Sequence, residues 1–158
     1  MQVVRILAAA MLAIAISGSA LAENETEPDS GMAEATAKFQ RDRRQLIESN
    51  LQLTETEAAR FWPVYERFQR ELAKVTEKRR SIIAEFGENY DDMSDAMARK
   101  IMLDRIELEE IRYRLMKEFY PSFESALPIK KLARYYQIES KIHYSVEAGI
   151  AEELPLVK

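Results

Sequence analysis

Phe61-Trp62-Pro63-Val64-Tyr65-Glu66 decides the fold, because it sets a proline between aromatic residues inside a segment whose apolar spacing is helical. The same arrangement returns as Phe119-Tyr120-Pro121-Ser122-Phe123-Glu124. Proline in a helix interior removes a backbone hydrogen bond and crowds the preceding turn, at a cost of about 3 kcal/mol. Two such stretches predict two long helices, each kinked at its proline, with aromatic rings gathered at the bends.

Just upstream, Leu53-Thr54-Glu55-Thr56-Glu57 spells a capping box: Thr54 caps the helix and Glu57 reaches back to the cap amide. Leu53 and Ala58 occupy the positions of a hydrophobic staple. Downstream, Phe61, Tyr65, Phe68, Leu72, Val75, Ile82 and Phe86 recur in alternating steps of four and three, with Arg79 filling one apolar slot. That is the seam of a helical hairpin or coiled coil. Gly87 is expected to end this helix and Glu88 to Met93 to form the turn, with Ser94 capping the return. The acids Glu88, Asp91, Asp92 and Asp95 lack the spacing of a calcium loop and suit capping and the helix dipole.

The return helix, from about Asp95 to Ala126, carries a seam of Met97, Ile101, Leu108, Ile111, Leu115 and Phe119. Met102, Ile106, Tyr113, Met116 and Tyr120 form a second, flanking stripe, giving an apolar surface wider than one partner helix covers. Arg105, Glu107, Glu109, Glu110, Arg112 and Arg114 read as a solvated face with i,i+4 pairs. No alternating apolar pattern with hairpin turns occurs. The expected fold is all-α: a long kinked antiparallel helical hairpin with an additional N-terminal and C-terminal helix.

At the start, Arg5 precedes the apolar run Ile6 to Ile16, and Ala20-Leu21-Ala22 has the small-x-small form of a cleavage site. The run is too short to span a bilayer, which needs about 20 apolar residues. Residues 1–22 are therefore expected to be a signal peptide cleaved after Ala22, 23–32 a flexible leader and 33–158 one helical domain, exported to the periplasm without stable membrane insertion. Helix is expected from near Ala33, with Phe39, Leu46 and Ile47 as a stripe, Arg41, Arg43 and Arg44 mostly on the opposite side, and Asn50 as the stop. The last helix is expected over Ile129 to about Val146, loosened by Gly149, with Leu154-Pro155-Leu156-Val157 docking as an apolar tail.

The chain has no cysteine, so disulfides, thiol catalysis and cysteine metal sites are excluded. Its formal net charge is −4, and cleavage would remove a cation but no acid. Such a balance excludes a generic nucleic-acid binder. His143, the one histidine, lies between Glu139 and Glu147 at four-residue spacing, a weak ligand set that ordinary helix packing explains better. The methionines suit gap-filling and contact with varied apolar surfaces. Nucleophile-elbow, phosphate-loop and metalloprotease motifs are all absent. The reading is a non-enzyme with no catalytic residues, no cofactor and no metal site.

With the leader, the Leu53-Thr54 capping box and the hairpin together, the chain resembles the Spy/CpxP-like (LTxxQ-type) periplasmic helical proteins. Glu57 stands where that motif has glutamine, and Leu127-Pro128 stands where a second copy would fall. A further likeness, to secreted bacterial proteins without an assigned function, rests on Phe61-Trp62-Pro63, the run Leu127 to Glu139 and the Leu154-Pro155-Leu156-Val157 tail. The resemblance implies a cradle-shaped body, with a homodimer as one expectation, that binds unfolded or membrane-associated envelope proteins or an envelope sensor. The expected function is ATP-independent binding with a chaperone-like or envelope-stress adaptor role, through Phe61, Trp62, Tyr65, Phe119, Tyr120, Phe123, Met102 and Met116. The alternatives are a regulatory sensor subunit, a metal-responsive protein and a structural helical homodimer. At the aromatic repeats themselves, packing is expected to outweigh client contact.

Overall fold

A computed structural model describes residues 28–158; the signal peptide expected over 1–22 and the leader as far as residue 27 lie outside the described residues. Four helices make up the described chain: α1 (Pro28–Leu51), α2 (Glu55–Asn89), α3 (Asp95–Ala126) and α4 (Ile129–Glu153). Among the described residues there is no strand, and no helix is long and apolar enough to cross a membrane.

The local signals set the boundaries. Thr54 Oγ1 accepts from the Glu57 amide at 3.3 Å, and Glu57 Oε2 accepts from the Thr54 amide at 2.8 Å. Both halves of the capping box satisfy backbone donors that a helix start leaves unpaired. Ser94 Oγ accepts from the Met97 amide at 3.2 Å and starts α3 in the same way. Pro63 and Pro121 sit inside their helices without ending them. Both prolines are exposed, so water can reach the carbonyls of Ala59 and Lys117 that each leaves without an amide partner.

Several boundaries differ from the sequence expectation. Helix α1 begins at Pro28 rather than near Ala33, with proline at the first position, where its missing N–H costs nothing. It ends at Leu51, and Gln52 follows with φ 47°, the one non-glycine residue in the left-handed region among those described. Gly87 does not end α2. The helix runs on to Asn89, whose side-chain amide donates to the Glu85 carbonyl at 2.7 Å, while the Tyr90 amide donates to the Gly87 carbonyl. Likewise α4 passes through Gly149 and stops only before Leu154-Pro155, where a proline biases its predecessor out of the helical region.

The chain divides into two units. The first joins residues 28–52 with 133–155, that is α1 with most of α4. Its buried residues include Phe39, Ile47 and Leu51 on α1 and Tyr135, Ile138, Ile142 and Val146 on α4. Arg43 is buried among the α1 residues at four-residue spacing, contrary to its expected place on the solvated side. Its guanidinium donates to both carboxylate oxygens of buried Glu139, with Nε to Oε1 at 3.4 Å. A lone charge could not stay in that position; a two-pronged carboxylate partner makes it tolerable. Arg134 also donates to the carbonyl of Asn50 at 3.2 Å.

The second unit holds residues 53–132 and 156–158, that is α2, α3, the first turn of α4 and the end of the tail. Rising positions on α3 meet falling positions on α2. Lys100 pairs with Glu85 at 2.6 Å, and Glu107 with Lys78 at 2.6 Å. Further along, Phe119 meets Phe68 at 5.4 Å between ring centroids, and Phe123 meets Phe61 at 5.8 Å.

Candidate functional site

Helix α3 has two apolar faces, and the structure treats them differently. Leu108, Leu115, Phe123 and Ala126 are buried. On another side of the helix Met102 is 57 % exposed, Ile106 52 %, Tyr113 51 % and Tyr120 39 %, with Met116 half-buried between them. Ile106, Tyr113 and Tyr120 stand seven residues apart, and Met102 lies one helical turn before the first of them. This is the flanking stripe of the sequence. At 1.5 Å per residue it runs about 27 Å along the helix. Leu103, also exposed at 54 %, widens it on one side.

Charges border the stripe in an ordered way. Glu110, Lys117 and Glu124 follow Leu103 at seven-residue intervals along one edge, and all three are exposed. Tyr120 donates its hydroxyl to Glu124 Oε1 at 2.9 Å, and that bond holds the phenol above its usual pKa. On the other edge Arg105 lies 3.8 Å from Glu109, and the Arg112 guanidinium sits 5.5 Å from the centre of the Tyr113 ring. Arg112 is itself buried, so the expectation that all these charges form a solvated face fails there. Its aliphatic stem can line apolar surface while its charged head reaches a polar or aromatic partner.

The expected binding residues separate into two groups. Phe61 and Phe123 are fully buried and Tyr65 nearly so; Trp62 and Phe119 are half-buried. They form a ring cluster: Phe61 lies 5.0 Å from Trp62 and 5.7 Å from Tyr65, while Trp62 and Tyr65 stand edge to face at 5.3 Å. Across the two helices, Phe61 of the first aromatic stretch meets Phe123 of the second, with Phe68 inserted against Phe119 and Phe123. Such a cluster stabilises by area and by edge-to-face geometry. Met102, Tyr120 and, in part, Met116 belong instead to the exposed stripe. Leu103, Ile106 and Tyr113 complete it and were not among the expected binding residues; the seven-residue recurrence was the signal for Ile106 and Tyr113, and Leu103 had none.

Three other features are placed by the structure. Glu57, beyond closing the capping box, accepts from Lys131 Nζ of α4 at 2.6 Å. That hydrogen bond, with the Thr54 amide, holds its carboxyl below the ordinary glutamate range. Glu139 is engaged by Arg43, so it does not join His143 and Glu147 in a ligand row; His143 Nδ1 lies 3.9 Å from Glu147 Oε1. Of the tail's apolar residues Leu154 is half-buried, but Leu156 is 89 % exposed and Val157 is exposed too, so the end of the tail does not dock through them. Lys158 makes the attachment, 2.5 Å from Asp91 and 4.8 Å from the centre of the Tyr90 ring.

No known protein family, curated protein or solved structure matches this chain. The resemblance to LTxxQ-type proteins therefore rests on the residues quoted for it.

Proposed function

We propose that the protein is an exported, ATP-independent binding protein with a chaperone-like or envelope-stress adaptor role, and that the outer stripe of α3 is its binding face. The supporting observation is the joint exposure of Met102, Leu103, Ile106 and Tyr113 on one helix. Together these side chains offer apolar surface on the order of a few hundred Å², the size at which a patch on a soluble protein commonly has a binding role. Methionine suits the task because its flexible thioether adapts to differently shaped partners.

In this reading Pro63 and Pro121 kink a long antiparallel hairpin formed by α2 and α3. The buried rings of Phe61, Tyr65 and Phe123 give it rigidity, while Met102, Met116 and Tyr120 touch the bound protein. Holding an apolar segment needs no catalytic group and no cofactor. Residues 1–22 would direct the chain to the compartment where unfolded or membrane-associated envelope proteins are found.

The test is suppression of aggregation of a reduced, unfolding client by stoichiometric protein. The Ile106→Ser/Tyr113→Ser double variant should lose most of the protection while keeping its helical content. Undiminished protection by that variant would remove the stripe from the proposal, and absence of protection by the unaltered protein would overturn the reading.

A further inference from the structure

We infer that the occupant of the α3 stripe is an amphipathic helix of a partner protein rather than an extended chain; this rests on the binding reading above and names its partner class. The stripe has the period of a helix-pairing surface. Ile106, Tyr113 and Tyr120 recur every seven residues, with Met102 four residues before the first, Met116 between the last two, and the charged Glu109 in the slot between Ile106 and Tyr113. A seven-residue recurrence keeps contact with a second helix over several turns, because both coil at the same pitch. An extended segment repeats its side chains every two residues and has no use for it.

The edge charges carry the inference further. Glu110, Lys117 and Glu124 are exposed, alternate in sign and share the seven-residue interval, which is the arrangement that sets partner choice and orientation in paired helices. Among the described residues, neither Glu110 nor Lys117 has an ion pair. The complementary helix is therefore apolar at three- and four-residue steps over about 18 residues and carries a basic, an acidic and a basic residue along the facing edge.

The experiment uses the purified protein and three synthetic peptides of equal length. One has leucine at the seam positions and lysine, glutamate and lysine on the edge; in the second that edge is charge-reversed; the third is a scramble with no helical period. Fluorescence anisotropy reads affinity, and circular dichroism reads helix formed on mixing. The matched peptide should bind at least ten-fold more tightly than the other two and gain helix. Lys117→Glu should weaken it and narrow its advantage over the charge-reversed one. Equal binding of all three, or binding without helix gain, overturns the inference. Protection of an unfolding client without peptide binding overturns it while leaving the binding reading intact, whereas loss of both removes the two together. Sedimentation as a dimer that Ile106→Ser disperses would assign the stripe to a second copy and also overturn it.

Discussion

Helices α2 and α3 are of similar length and each contains an aromatic-proline stretch, yet they use their apolar residues differently. On α2 the large apolar side chains are all buried or half-buried. On α3 one row is buried, while Met102, Leu103, Ile106, Tyr113 and Tyr120 are exposed. A helix whose apolar surface matches its burial is accounted for by packing. A helix with a second, regularly spaced row carries surface that folding of this chain does not use, and the proposed binding face is drawn from that surplus.

Substitutions should separate the two kinds of surface. The largest effect is expected at the core: Phe123→Ala should destabilise by about 4 kcal/mol, because it removes a fully buried ring and leaves a cavity. Denaturant unfolding measures this, and a loss below about 1 kcal/mol would show that the ring cluster does not hold the helices together. In the other unit, Glu139→Ala should cost about 3 kcal/mol, since it strands the buried Arg43 charge; replacing both partners with apolar residues should restore most of it. Next, Gln52→Gly should stabilise by about 1 kcal/mol by relieving the left-handed backbone after α1.

A smaller effect depends on pH. The hydrogen bond from Lys131 and that from the Thr54 amide hold the Glu57 carboxyl below its ordinary 4.5. Its contribution is therefore complete above that value and is lost as the pH falls through the lower folded value. Glu57→Gln should lower the melting temperature at neutral pH and progressively less in acid; an equal loss at every pH would assign the effect to shape rather than charge. Smallest of all, Ile106→Ser should change stability by less than about 0.5 kcal/mol, as an exposed position does. A large loss there would merge the outer row with the core and break the distinction between α2 and α3.

Much of this was legible along the chain. The Thr54 and Ser94 caps involve residues three apart, so their hydrogen bonds follow from local geometry alone. The α2 seam and the flanking stripe of α3 are periodic, and a period survives whatever the helix packs against. Gly87 and Gly149 were misleading for a physical reason: glycine lowers helix propensity by about 1 kcal/mol, which neighbouring helical residues can override. The tail misled in the opposite sense, because apolar composition predicted docking that a lysine supplies.

The sequence by itself determined the all-helical class, the two caps, the tolerated prolines and the existence of two apolar rows on α3. Each depends on residues within a few turns of one another. Only the tertiary structure decided which row is left exposed, that Arg43 is buried on Glu139 across 96 positions, and that Glu57 serves Lys131 as well as its own helix across 74 positions. Burial and ion pairing depend on what approaches a side chain in space, and periodicity along one helix does not specify that.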